Sequence, residues 1–308
     1  MKPSILQTEL WENFQKSLHE TTFFEKNKDF QYLAIKKSTP VGNYLYLPYG
    51  PHIAKKSASQ TAYKAIERLA RQENVIFIRI EPMDAEIASY WLTRKNCKKS
   101  KDLSPAHTWI LDLTLEKDQI LSQMKQNNRN IFRNYSKKGI QITTSHDPKD
   151  AKILVNLQKR VASRDHFIPP DLKIFKLQLS QPFSTLYLAK INQKTIASAL
   201  CFDDTTTRYY MQAAADDHYR KFSAGTALLA QMIMDAKDKN LQKFDFWGIA
   251  PDNAPQNHPW LGFTKFKKSF GGQEIAYAGT YDLIFQPTTY KIYQILRAIN
   301  RFTRKLTH

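Results

Sequence analysis

Arg208-Tyr209-Tyr210-Met211-Gln212-Ala213-Ala214 opens a run that continues through the loop Tyr219-Arg220-Lys221-Phe222-Ser223-Ala224, a helical stretch at 225–239, and Lys243-Phe244-Asp245-Phe246-Trp247. The two end segments are rich in aromatic residues and read as strands. Apolar residues at helical spacing fill the stretch between them. The same order occurs earlier in the chain: a strand at 44–49, a loop, a helix at 57–72 with Ala62, Ala65, Ile66, Leu69 and Ala70 on one face, and the apolar strand 75–80. Strand, loop, helix, strand with a right-handed crossover predicts a parallel strand pair. Two such units in one chain predict an internal duplication, and hence an α/β (α+β) protein of two like domains.

Outward from these units, a short helix is expected at 5–17 and a strand at 30–35. Residues 108–113 read as a strand leading into a long basic helix at 116–138, with Thr114 as its cap and Gly139 as its terminator. Ser57 or Ser59 can cap the helix at 57–72. The second half starts with a helix at 148–163, a break at Pro169-Pro170 and another short helix. Strands at 185–191 and 195–202 follow, joined by a short polar loop. A strand pair around 275–285 and a helix at 290–305 close the chain. The expected domains are 1–143 with 287–308, and 144–286.

Forty-six Lys+Arg against 28 Asp+Glu give a net charge of +18. That excess favours polyanions: nucleic acid, pyrophosphate-bearing substrates or an anionic membrane face. The basic helix, with Lys125, Arg129, Arg133, Lys137 and Lys138, is a candidate contact for RNA or a headgroup, or a solvated charged face. Cys97 and Cys201 stand far apart, which supports neither a disulfide framework nor a cysteine zinc site. The chain has no apolar run of about 18 residues, so a cytoplasmic protein is expected, with a peripheral contact on the inner membrane face as an option. The last helix puts Ile292, Ile295, Leu296, Ile299 and Phe302 on one side and Arg297, Arg301, Arg304 and Lys305 towards the other. Packing of its apolar side on the first domain is favoured over membrane contact.

The sequence lacks a Walker motif, an early G-x-G-x-x-G, a G-x-S-x-G elbow and an H-x-x-x-H pair. Catalysis by positioning and electrostatics is therefore expected. Asp216-Asp217-His218 is either an acid–base cluster or a polar turn, the turn being favoured. Arg220-Lys221-x-Ser223-x-Gly225 precedes a helix N-terminus, where free N–H groups and the dipole favour phosphate. It is similar to the coenzyme A loop of GNAT acyltransferases, with Ser223 in place of the first glycine; a capped helix start is the plainer alternative. Thr264-Lys265-Phe266-Lys267-Lys268-Ser269-Phe270-Gly271-Gly272 interleaves lysines with aromatics before a glycine pair. Such a segment suits a positioned ammonium and a close backbone approach.

In their order along the chain, these segments resemble the FemABX family of non-ribosomal peptidyltransferases. The resemblance rests on Phe266-Lys267 with Ser269-Phe270-Gly271-Gly272, on Phe244-Asp245-Phe246-Trp247-Gly248-Ile249, and on Tyr209 through Ala215. Arg129-Asn130-Ile131-Phe132-Arg133, Lys137 through Ile140, and Leu6-Gln7 with Trp11 add to it. It implies two tandem GNAT-like domains with the last helix packing back on the first; some members carry a long coiled-coil arm, for which this sequence has no charged heptad stretch. It further implies aminoacyl-tRNA as donor, a peptidoglycan precursor as acceptor, and neither cofactor nor metal. Phe266 and Lys267 take the catalytic positions, the lysine on the ester carbonyl. Thr206, Arg208, Trp247 and Lys16 (beside Gln15) take acceptor positions, and Arg220, Lys221, Ser223 and Gly225 the phosphate loop. Asp216 and Asp245 are candidate bases. The rival reading is an acyl-CoA-dependent GNAT N-acyltransferase.

Overall fold

Residues 45–47 run parallel to 78–80, and residues 207–209 run parallel to 243–245. The duplicated unit is therefore present twice, each time as a parallel strand pair joined through a helix. The computed structural model describes residues 2–165 and 171–306, and the side chains of 2–161 and 171–299. The expected break at Pro169-Pro170 and the side chains of Arg301, Phe302, Arg304 and Lys305 lie outside what is described; the helix expected at 148–163 runs as Ala151–Asp165.

The chain divides into one unit of residues 1–106 with 276–308 and another of 107–275. Residues 107–143, expected in the first domain, lie in the second unit because His107–Asp112 pairs with Lys243–Gly248. The boundaries accordingly fall at 106/107 and 275/276, where 143/144 and 286/287 were expected.

The first unit carries β1 (Thr22–Lys26), β2 (Phe30–Thr39), β3 (Gly42–Leu47), β4 (His52–Ile53), β5 (Phe77–Ile80), β6 (Cys97–Lys99) and β14 (Tyr281–Ile284). They form one sheet in the order β1-β2-β3-β5-β14-β6, with β4 on β2. Its helices are α1 (Glu9–Ser17), α2 (Ser59–Gln72), α3 (Ser89–Leu92) and α10 (Pro287–Leu306). The α2 face named above is buried on this sheet with Leu45, Leu47 and Ile78. Ala58, not a serine, occupies the α2 N-cap. The expected helix at 5–17 is broken at Thr8, where the backbone is extended. Just before it, the buried Gln7 carboxamide donates to Pro48 O at 2.8 Å and accepts from Leu33 N at 2.9 Å.

α10 packs on this unit as expected, but through a different face. Tyr290 is buried and the Tyr293 ring lies tilted against Phe77 and Tyr44, while Ile292, Ile295 and Ile299 are 46–60% exposed. Two tyrosines offer more area to the central strands of the sheet than the isoleucines do, and they set the rotation of the helix. Among the described residues no helix is long and apolar enough to cross a membrane.

The second unit carries β7 (His107–Asp112), β8 (Gln141–Ser145), β9 (Ser184–Ile191), β10 (Lys194–Asp203), β11 (Thr207–Ala215), β12 (Lys243–Gly248) and β13 (Gln273–Ala276). The sheet order is β13-β7-β12-β11-β10-β9-β8. Its helices are α4 (Lys117–Gln123), α5 (Gln126–Asn134), α6 (Ala151–Asp165), α7 (Leu172–Leu179), α8 (Ala224–Asp238) and α9 (Leu261–Lys268). α8 lies on a core of Ala197, Ala199, Cys201, Phe244, Phe246 and Phe270. The long basic helix is in fact α4 and α5, separated at Met124 and Lys125, whose backbones are extended. Met124 is buried there, and Lys125 N–H bonds to Ser269 O, so tertiary contacts override the local propensity. A capping box of Glu116 and Gln119 starts α4 in place of Thr114. Gly139 does end the segment, at φ 76°. The expected pair at 275–285 is divided: β13 joins the second sheet and β14 the first.

Candidate active site

Everything at the candidate centre depends on an irregularity in β12. The β12–β7 register shifts between Asp245 and Gly248, and Trp247 sits at φ 64°, a costly conformation for a bulky residue. Asp245 sustains it. One of its carboxylate oxygens accepts from Trp247 N at 2.7 Å and also from the Thr108 hydroxyl. The bulge turns the Gly248 carbonyl towards α9, where Lys267 Nζ donates to it at 2.6 Å. Thr264 on the same helix accepts from Ala250 N at 2.8 Å and locks α9 to the end of β12.

Lys267 is 9% exposed, and its ammonium lies 4.9 Å from the centroid of Phe263. Burial lowers its pKa to about 8, against the pull of Asp245, which raises it. Burial likewise raises Asp245 to about 6, opposed by the hydrogen bonds from Thr108 and Trp247 and by the charges of Lys267 and Lys243. Each displacement costs the native state about 3 kcal/mol near pH 7. For Asp245, whose native pKa is raised, that cost develops as pH rises from about 4 to about 6. For Lys267, whose native pKa is lowered, it is relieved as pH rises from about 8 to about 10.5. Two such penalties on neighbouring groups make this the candidate functional site.

The pairing of β11 with β12 ends at Tyr209–Asp245. Alongside the continuation of β11 lies a cleft of about 470 Å³, lined by Tyr210, Ala213, Ala215, Arg220, Ser223, Gly225 and Phe266. The α8 N-terminus opens onto it through Ser223, which is left-handed at φ 52° and makes no side-chain cap. Phe266 and the loop residues Arg220, Ser223 and Gly225 are thus brought together. Lys221 does not line the cleft; its ammonium lies over Phe222 at 5.3 Å. A Cβ on Gly225 would approach only Ala215, at 4.0 Å, so sterics do not demand glycine there. The Gly-Gly pair does meet a close backbone approach, but to the protein itself: at Gly272, φ 97°, a Cβ would lie 2.5 Å from Ile110 O.

The residues expected at the acceptor end are dispersed. Arg208 is fully buried, with Nε and Nη2 on Asp203 at 2.7 and 2.6 Å and Nη1 on the Tyr187 hydroxyl and Met232 O. Thr206 caps the β10–β11 turn with its hydroxyl on Asp204. Trp247 is half-buried and meets Tyr209 edge-on at 6.0 Å. Lys16 lies in the first unit, exposed and paired with Glu12 at 2.9 Å. Asp216 is a turn residue: its oxygens accept from His218 and from Arg160. Burial opposes its charge, yet those bonds hold its pKa below the usual carboxyl range. The basic segment is likewise partly structural, since Arg129 donates to Ser122 O and Met124 O. Thr108, Phe263 and the Gly248 carbonyl escaped the sequence reading. The β12 bulge brings in Thr108 and the Gly248 carbonyl, and the contact with the Lys267 ammonium brings in Phe263; no local pattern encodes either.

Residues 182–298 match the FemAB family model. No curated protein matches the chain by sequence. Among solved structures, FemX has the same fold, with a TM-score of 0.82 at 17% identity over 94% of each chain. The C-terminal domain of a putative lysylphosphatidylglycerol synthetase from Agrobacterium fabrum matches at 0.60 and 11% identity, over 93% of this chain and 91% of that one. L-PGS from Bacillus licheniformis matches at 0.56 and 11% identity, over 97% of each.

Proposed function

We propose that this chain, whose residues 182–298 match the FemAB family model and whose fold is that of FemX, is an aminoacyltransferase that moves an aminoacyl group from aminoacyl-tRNA to the peptide stem of a peptidoglycan precursor. The observation that carries this reading is the buried ammonium of Lys267, held on Gly248 O beside Phe266 within the matched segment. The acceptor amine forms a C–N bond to the ester carbonyl carbon, and the ester C–O bond breaks. The amine's proton leaves with the departing ribose oxygen. Negative charge builds on the carbonyl oxygen between these events, and Lys267 has two further N–H bonds to offer it. The ester is already activated, so orientation and this charge interaction suffice without a protein nucleophile.

Asp245 acts in this scheme as a positioning residue. It holds the bulge that presents Gly248 O, and its charge keeps Lys267 protonated. Asp245→Asn preserves the oxygen that accepts from Trp247 and Thr108 but removes the charge that raises the Lys267 pKa. The high-pH fall in kcat, expected near pH 8 in the native protein, then moves to lower pH. A pH–rate profile of both proteins checks this; an unmoved limb contradicts the assignment.

A second reading, acyl transfer from coenzyme A, is favoured by the cleft at the α8 N-terminus, which suits a phosphate. One experiment separates the two: label transfer from a pool of charged tRNAs to UDP-linked muropeptide and to lipid-linked muropeptide in anionic vesicles, with an acetyl-CoA reaction alongside. Product that requires charged tRNA supports the proposal. Acylation from coenzyme A alone replaces it with the rival. The exposed isoleucines of α10 and the net charge support peripheral membrane contact and predict faster transfer to the lipid-linked acceptor.

A further inference from the structure

α9, which carries Lys267, is only eight residues long. Two turns of helix have little stability of their own, so the place and pitch of α9 come from what grips its ends. Thr264 ties its first half to Ala250, as described above. Its other end is held from α5. Ser269, the C-cap, donates its hydroxyl to Phe266 O at 2.5 Å, the carbonyl just before Lys267. The same hydroxyl oxygen accepts from Asn128 Nδ2 at 2.7 Å. Ser269 O accepts from Asn128 Nδ2 at 3.1 Å and from Lys125 N at 2.9 Å. Asn128 is buried, and a continuous chain of bonds leads from its carboxamide through Ser269 to Phe266.

Lys125 N is free to reach Ser269 because the basic segment breaks. In an unbroken helix that N–H would bond to Leu121 O, four residues back. With the chain extended at Met124 and Lys125 it turns to Ser269 instead, and Asn128 falls in the first turn of α5. Arg129 closes the other side of the break on Ser122 O and Met124 O. The glycine pair completes the grip. Gly271 O accepts from Trp109 Nε1 at 2.6 Å, and Gly272 N donates to Gln123 Oε1 at 3.3 Å. A Cβ on Gly271 would collide with Gln123 Cβ, so α4 meets the end of α9 with no room for a side chain.

We propose that Asn128 is a positioning residue for Lys267: from α5 it fixes the end of α9 through Ser269, and with it the place of the ammonium. The inference rests on the reading of Lys267 as the donor to the carbonyl oxygen. Lys267 stands six residues beyond Leu261, a lever of about 9 Å, so a tilt of about 6° would shift it by about 1 Å. A displacement of that size typically costs about a hundredfold in rate.

Competitive acetylation of the full chain with acetic anhydride over a pH series, read by peptide mass spectrometry, tests this without substrate. The Lys267 midpoint is expected near pH 8 in the wild type. In Asn128→Ala and Ser269→Ala it should move up towards the ordinary lysine range, because a loosened α9 admits water to the ammonium. In the transfer assay kcat should fall roughly ten- to a hundredfold in both, with KM unchanged. Ser269→Thr keeps the hydroxyl and should keep most of kcat. Tyr135→Phe removes the bond from the end of α5 to Gln231 on α8, and should leave midpoint and kcat as they are. Should Asn128→Ala fail to fold, Ser269→Ala carries the test. An unmoved midpoint in the folded variants, or an equal shift in Tyr135→Phe, overturns the inference. If no transfer from charged tRNA occurs while the midpoint still moves, the positioning stands and the donor reading falls. If tRNA-dependent transfer proceeds in the variants at wild-type kcat, the positioning alone falls.

Discussion

Lys267→Ala is expected to lower kcat by about 10²- to 10³-fold, the usual effect of removing one oxyanion donor from a water-poor site. The loss should fall on kcat at saturating substrates, because the interaction forms as charge develops on the carbonyl. Stability should change little. The alanine removes a buried ammonium that costs about 3 kcal/mol, but leaves Gly248 O without its donor and opens a small cavity, which offsets that gain. Lys267→Met, which keeps the length of the stem, should fold at least as well and be as inactive. Single-turnover transfer together with thermal unfolding checks both variants. A folded Lys267→Met with wild-type turnover would remove the ammonium from the mechanism.

Arg208→Ala is expected to act on the fold instead. The guanidinium, itself fully buried in the second unit, satisfies Asp203 twice, the Tyr187 hydroxyl and Met232 O. Removing one member of a buried pair typically costs 3–5 kcal/mol, because the groups left behind are desolvated and unpaired. The lower end, about 3 kcal/mol, is expected here: Asp203 keeps Lys239 at 3.2 Å and is itself partly exposed. Urea unfolding should show this as a lower midpoint, with KM for the acceptor unchanged in the protein that remains folded. A stable variant with a raised acceptor KM would instead restore the acceptor contact that the family resemblance assigns to Arg208. Arg79 and Asp282 form the corresponding buried pair of the first unit, at 2.7 Å.

These two residues mark where reading along the chain succeeds and where it fails. Phe266-Lys267 belongs to a local run of distinctive composition, so its importance is visible without coordinates. Arg208 stands at a strand start in a basic chain and reads equally well as a ligand contact or an internal ion pair. Its surroundings come from residues 5 to 24 positions away, which have no shared pattern in sequence. Asp245 is intermediate. Its run is distinctive in sequence, but its work depends on the β12 bulge and on Thr108, 137 residues distant.

By itself the sequence determined the duplicated strand–loop–helix–strand plan, the two parallel pairs, and the segment that carries Lys267. Those follow from periodicity and local propensity, which act over a few residues and are written in order along the chain. Tertiary structure alone decided the rest. β7 went to the second unit because its partner β12 lies more than 130 residues away. The basic helix broke at Met124 because burying that side chain outweighs continuing the helix. α10 turned its tyrosines inward and left its isoleucines exposed. The pKa values of Lys267 and Asp245 depend on burial, a property of the assembled unit that no single stretch of residues possesses.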